Sequence, residues 1–245
     1  MRPGQGTSLP GTEVILGWVE DGQSRLEERL APLDDGAVAQ PSRLPGWTRG
    51  HILTHLARNA DALVNLLTWA RTGTPTPMYP SAERRNADIE AGAGRPIEVQ
   101  RDDLVAAARR LMETARGMGR HDWEAAVRSA QGRDIPAAEI PWMRAREVWI
   151  HLADLDVGAG FEVIPDEVAV ALVHDVARWM DGRVERRVEL VAPHVDAAFG
   201  GSPGQPAVRV HGSPQALAAW LVGRSRGETL EAEEAAAIPD LPPWL

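Results

Sequence analysis

Apolar residues recur at helical spacing in four long stretches of the chain, each bounded by cap or turn residues. In residues 12–31, TEVILGWVEDGQSRLEERLA, the positions Val14, Leu16, Val19, Leu26 and Leu30 recur at roughly helical intervals behind Thr12, a candidate cap. The run LPGWTRGHILTHLARNADALVNLLTWARTG predicts a second helix over 48–72. There Thr48 can cap, Ile52, Leu56, Leu63, Leu66 and Ala70 share one face, and Gly73 follows the end. A third helix is predicted over 97–117 from Val99, Leu104, Ala107, Leu111 and Ala115, ending at Gly-Met-Gly. A fourth starts near Ile140, has Pro141 in its first turn, and continues through WMRAREVWIHLADLDVGAG to the glycines at 158 and 160. Between the second and third helices, TPTPMYP and a polar segment holding Arg84, Arg85 and Asn86 show no such period. Four long helices with longish connections predict a four-helix bundle.

Beyond Gly160 the pattern changes. PDEVAVALVHDVARWM keeps a helical period, but RVELVA and AVRVHG are short alternating or apolar runs separated by glycine and proline, and they predict strands. A last helix, SPQALAAWLVGR, and an acidic tail ending in PPWL follow. The fold class expected is α+β, with a four-helix bundle over residues 1–160 and a smaller C-terminal α/β domain over 161–245.

Composition narrows the chemistry. At 245 residues with 44% hydrophobic content the chain can fill one large core or two smaller ones, and the change of pattern favours two. No stretch approaches the roughly 20 consecutive apolar residues of a membrane span, and MRPGQGTSLPGTEV lacks the basic and apolar parts of a secretory signal, so a cytoplasmic protein that does not bind membranes is expected. A formal charge of −9 and a pI near 5.3 oppose nucleic acid and anionic lipid as partners. A small anionic substrate would need a local arginine cluster. There is no cysteine, and all 26 basic residues are arginine. The chain therefore offers no lysine for a Schiff base or a Walker A loop, and no thiolate for nucleophilic attack, disulfide formation or metal ligation. Any thiol chemistry must use a thiol from outside. No sustained heptad pattern or apolar surface stripe calls for a second subunit, and a monomer is expected.

The strongest chemical pattern is REVWIH, where Glu147 and His151 stand four residues apart and project from one helix face. Such a pair either chelates an ion or forms an ordinary surface ion pair, and spacing alone does not choose. His51 and His55 share the same spacing on the second helix. His55 falls on the side of Ile52, Leu63 and Leu66, which should face the bundle interior, whereas His51 lies nearer the helix start and is expected to be solvated. His55 from one helix with Glu147 and His151 from another make an N, O, N set that leaves a coordination position open. A catalytic divalent ion, zinc foremost, takes such a set, while structural zinc is usually closed by cysteines. Asp154 follows His151 by one turn and can accept a hydrogen bond from its imidazole. His121, His174, His194 and His211 have no comparable partner and read as ordinary surface or core residues.

GWTRGHILTHLARNADAL, TPMY followed by RRN, AQGRDIPAAEIPWMRAREVWIHLADL, and the later VGRSRGETL and PPWL together resemble the mycothiol-dependent maleylpyruvate isomerase family, from about residue 44 to the end. That family joins a DinB-like four-helix bundle to a smaller α/β domain similar to sterol carrier proteins. The resemblance implies that His55, Glu147 and His151 bind zinc and that Arg85 in RRN and Arg224 in VGR bind anionic groups, Arg85 also acting in catalysis. Each arginine can also be a solvated charge or a helix-end contact, and Arg84 is the adjacent alternative to Arg85. Trp47, Trp142 and Trp149 fall within the matched motifs and read as packing residues, a wall of the substrate pocket being the alternative. The resemblance further implies mycothiol as cofactor and a dicarboxylic keto acid as substrate, with isomerisation of maleylpyruvate to fumarylpyruvate in gentisate-type aromatic degradation. Rotation about a conjugated cis double bond requires its temporary loss, which reversible thiolate addition provides. Two rivals remain: a thiol S-transferase that consumes mycothiol on another electrophile, and a noncatalytic module with a closed metal site.

Overall fold

The computed structural model describes residues 9–202, 204–233 and 237–244. Residues 1–8 of the N-terminal stretch, 234–236 of the acidic tail and Leu245 of PPWL lie outside them. The chain divides into a helical unit, Pro10–Ala159, and a second unit comprising Gly160–Leu245.

The helical unit runs α1 (Thr12–Leu30), α2 (Asp35–Val38), α3 (Arg49–Thr72), α4 (Ala82–Ala93), α5 (Ile97–Arg116), α6 (Arg120–Glu124), an antiparallel hairpin of β1 (Ala126–Arg128) and β2 (Asp134–Pro136), and α7 (Ile140–Asp154). The four long helices form the expected bundle. α3 is its hub, packed against α4, α5 and α7, while α1 lies along α7. Ile52, Leu56, Leu63 and Leu66 on α3 are 0% exposed. Each such aliphatic side chain contributes about 1.5–3 kcal/mol by leaving water.

Local chemistry sets the helix limits. At the start of α3 the Thr48 amide donates to His51 Nδ1 at 3.2 Å, and at its end Gly73 takes the left-handed conformation, with φ of 71°. α1 begins differently from expectation, because Gly11 is its cap residue and Thr12 is already helical. Its buried side is Ile15, Trp18, Val19, Gly22, Leu26 and Leu30, and Val14 points to solvent, as Val99 does on α5. Gly22 sets this rotation, since a Cβ there would come within 3.0 Å of the Trp149 indole.

Two further differences bear on function. α7 stops at Asp154, short of the glycines at 158 and 160, and Asp156 takes a left-handed φ of 55°. The carbonyls released at that end are met from outside the helix: Arg49 Nε donates to Leu155 O and Arg49 Nη2 to Asp156 O, each at 2.8 Å. The polar segment with Arg84, Arg85 and Asn86 is helical, capped by Ser81, whose side chain accepts from Arg84 N at 3.1 Å. With only Ile89, Gly92 and Ala93 buried, α4 has too little apolar surface to show a period. It lies close to α3 because two glycines permit it. A Cβ on Gly50 would meet Ala93 O at 2.1 Å, and one on Gly92 would meet Thr54 Cγ2 at 2.4 Å.

The second unit contains α8 (Asp166–Met180), β3 (Arg187–Ala192), β4 (Val195–Phe199), β5 (Ala207–His211), α9 (Pro214–Leu221) and β6 (Glu231–Ala232). The sheet order is β4-β3-β5-β6, with β3 and β5 parallel and the two outer pairings antiparallel. The two runs read as strands are β3 and β5. β4 has no alternating apolar pattern to read, because only Phe199 of its five residues is buried. α8 packs on α9 and β4, and Val188, Phe199, Val210 and Leu217 are 0% exposed.

Candidate metal centre

α3 and α7 cross so that His55, Glu147 and His151 converge. One ligand-type atom from each lies within 4.8 Å of the other two. His55 Nε2 is 2.8 Å from Glu147 Oε2, His151 Nε2 is 3.3 Å from the same oxygen, and the two imidazoles meet edge-on with centroids 4.9 Å apart. The His55 and His151 side chains are 6% and 12% exposed and Glu147 31%, so the cluster is closed behind and open on the carboxylate side. Asp154, 0% exposed, lies with Oδ2 2.9 Å from His151 Nδ1 and fixes which edge of that ring faces Glu147.

Arg85 reaches the cluster from α4. Its Nη2 lies 3.2 Å from His55 Nδ1, its Nη1 donates to Asn86 Oδ1, and its guanidinium stands 5.7 Å from the Tyr79 ring. An arginine only donates, so His55 Nδ1 accepts here and its Nε2–H is directed at Glu147. Arg84, the adjacent alternative, points away and pairs with Asp88 on the exposed side of α4. The loop carrying Tyr79 is tied to α3 by Asn65, whose Nδ2 donates to Pro77 O and Met78 O at 3.3 and 3.4 Å.

Electrostatics divide the cluster. Burial pushes the His55 pKa down, and the neighbouring Glu147 pulls it up without prevailing. Burial also opposes charge on His151, but its bonds to Asp154 and Glu147 outweigh burial and raise its pKa to about 9. Burial would raise Glu147 too, yet the attraction of His55 and the hydrogen bonds from both imidazoles hold its carboxyl well below the usual range. At neutral pH Glu147 is a carboxylate, His151 an imidazolium and His55 neutral.

The tryptophans separate. Trp142 and Trp149 are core residues, the first 6.2 Å edge-on from Trp18 and the second donating its Nε1–H to Trp18 O at 3.0 Å. Trp47, half-buried, lies instead over the histidines, with ring centroids 5.5 Å from His55 and 6.0 Å from His51. His51 is not solvated: its side chain is 14% exposed, with Nδ1 at the Thr48 cap and Nε2 3.3 Å from Glu90. Arg224 belongs to the second unit, at the turn after α9, where it is exposed and its Nη1 donates to Val222 O at 3.0 Å. The placement of Tyr79 and Trp47 at the cluster had no sequence signal beyond their presence in motifs, since both sit in loops without period.

A four-helix bundle carrying a His, Glu, His cluster on two crossing helices defines a bundle protein with a candidate metal centre. Comparison with known proteins takes this further. The family model for the mycothiol maleylpyruvate isomerase N-terminal domain matches residues 19–156. A crystal structure of the mycothiol-dependent maleylpyruvate isomerase superposes with a TM-score of 0.86 at 34% identity, over 96% of this chain and 98% of that one. A histidine-to-alanine mutant of the mycothiol-dependent maleylpyruvate isomerase gives 0.85 at 33% over the same shares. YfiT from Bacillus subtilis, described as a probable metal-dependent hydrolase with an unusual four-helix bundle topology, gives 0.50 at 16% over 63% of this chain and 91% of that one, and so shares the fold. Comparison with curated proteins gives no significant match. The chain belongs to the mycothiol-dependent maleylpyruvate isomerase family.

Proposed function

We propose that this chain isomerises maleylpyruvate to fumarylpyruvate with mycothiol, at a divalent ion, zinc, held by His55, Glu147 and His151. The observation that carries the reading is the convergence of those three side chains within 4.8 Å in a chain 34% identical, over nearly its whole length, to an isomerase of that name. The donor set fits a catalytic ion: two imidazole nitrogens and one carboxylate, no cysteine, and an open side. His151 is already oriented for ligation through Nε2 by Asp154. At both histidines ligation through Nε2 displaces a proton: His151 would give up its imidazolium proton, and His55 would exchange its Nε2–H for a proton on Nδ1, the nitrogen that Arg85 Nη2 faces at 3.2 Å.

A divalent ion bound there supplies a Lewis acid that favours the thiolate of a bound thiol. The chain's own residues do the rest. Glu147 serves as ligand, and its strongly depressed pKa makes it a poor general base. Arg85, the half-buried cation nearest the cluster, pairs with a substrate carboxylate and stabilises negative charge that develops when the double bond is temporarily lost. Arg224, in the second unit, keeps the anion-binding role that the resemblance implies for it. Trp47, its ring centroid 5.5 Å from that of His55, covers one side of that ligand. No helix among the described residues is long and apolar enough to cross a membrane, and a dicarboxylic keto acid is a water-borne substrate.

The test is conversion of maleylpyruvate by the zinc-loaded protein, followed by absorbance with and without mycothiol, while total free thiol is tracked. Thiol-dependent isomerisation with thiol conserved is expected. Consumption of thiol would assign an S-transferase, and absence of turnover despite bound zinc would overturn the substrate assignment.

A further inference from the structure

One buried charge in the helical unit lies behind the metal cluster. Arg144 on α7 is 1% exposed, one turn before Glu147. Its Nη1 donates to Leu56 O at 2.8 Å and to Asn59 Oδ1 at 2.9 Å, and its Nη2 points to Gln23 Oε1 at 3.4 Å. Gln23 is set for this role, because its amide nitrogen is engaged by Glu27 at 2.9 Å and its oxygen faces the guanidinium. Leu56 directly follows His55, and Asn59 stands one turn beyond it. A single guanidinium nitrogen therefore clamps the ligand-bearing turn of α3 to the ligand-bearing turn of α7.

This arrangement is poor value as pure stability. Burial lowers the Arg144 pKa to about 10, which leaves it charged at neutral pH, and its Nε has no hydrogen-bond partner. No carboxylate among the described residues pairs directly with it; Glu147 is the foremost of the negative groups that offset its charge at longer range. A well-packed apolar side chain of similar volume is often neutral or stabilising at such a position. The clamp coincides instead with the turns that must hold His55 and Glu147 in register.

We infer that Arg144 is a positioning residue for the metal centre, setting the spacing between His55 on α3 and the Glu147–His151 pair on α7 through its shared bonds to Leu56 O and Asn59 Oδ1. The inference rests on the metal reading above and deepens it. The fork is what matters, since a lysine ammonium keeps the charge but not the planar, pre-set donor geometry.

The test uses the full chain stripped of metal and titrated with Co²⁺, whose visible absorption reports coordination geometry, with affinity from chelator competition and folding from circular dichroism. Wild type is expected to bind one Co²⁺. Folded Arg144→Met should bind roughly tenfold or more weakly with altered band positions, the range seen when groups orienting metal ligands are removed. Arg144→Lys should not restore the spectrum, and Asn59→Ala should shift affinity the same way by less. A folded Arg144→Met with wild-type affinity and spectrum overturns the inference, as does full rescue by lysine, which would assign the effect to charge alone. If Arg144→Met does not fold, Asn59→Ala decides, and an unchanged spectrum and affinity in it overturn the clamp. Failure of wild type itself to bind Co²⁺ overturns the metal reading and the inference with it, and is thereby distinct from failure of the clamp alone.

Discussion

The two units bury different things. Of nine buried polar or charged side chains among the described residues, eight lie in the helical unit, among them His55, Arg144 and Asp154, and one, His174, lies in the second. The second unit is held by Val188, Phe199, Val210 and Leu217 between sheet and helices, a core that is apolar but for His174. A bundle does not need buried charge to be stable, because unpaired burial costs free energy that apolar packing does not. Buried polarity gathered where α3 and α7 cross therefore marks the place where the fold gives up some packing for chemistry, whereas the sheet unit shows what this chain does where no such demand acts.

The sharpest way to break that contrast is His55→Ala. It should abolish both metal retention and turnover, read as metal content of the purified protein and as isomerase rate; a metal-free variant with full activity would sink the proposed function. Arg85→Ala comes next. It should keep the metal, because Arg85 is not in the ligand set, but lose about 10²–10³ in kcat, the usual effect of removing one stabiliser of developing charge.

Asp154→Asn has a smaller effect, weakening metal affinity about 10–100-fold by chelator competition, because His151 loses its carboxylate partner. It also has a pH signature. The His151 pKa is raised to about 9 from 6.5, so in the metal-free protein its stabilisation is complete below about pH 6.5 and lost as pH rises through about 9. Denaturant midpoints of the metal-free protein should fall across that window, and Asp154→Asn should flatten the fall. The last probe is a control in the other unit. Phe199→Ala should cost about 3–5 kcal/mol of stability in that unit by leaving a cavity, with metal affinity unchanged. A metal affinity that fell with it would show that the site depends on more than the helical unit.

Much of this was legible along the chain. The period of α3 put His55 on the interior side with Ile52 and Leu63, the four-residue step put Glu147 and His151 on one face of α7, and Asp154 stood one turn on. These are properties of a single helix, and helix geometry carries them. α4 was not legible, because a helix with few apolar residues has no period to read; its position depends on Gly50 and Gly92, whose missing side chains matter only once two helices approach.

What the sequence alone determined was the set of parts: four amphipathic helices, a candidate N, O, N ligand set at helical spacing, and a chemistry without protein thiols or lysine. The tertiary structure decided which parts meet. Arg85 rather than Arg84 faces His55, Trp47 lies over the histidines while Trp142 and Trp149 enter the core, and Arg144 reaches across to Leu56 and Asn59. The contacts of Arg85, Trp142, Trp149 and Arg144 join residues far apart in the chain, fixed by how one helix packs on another, while that of Trp47 depends on the loop leading into α3; the backbone period of a helix says which face turns inward, not what waits on the other side.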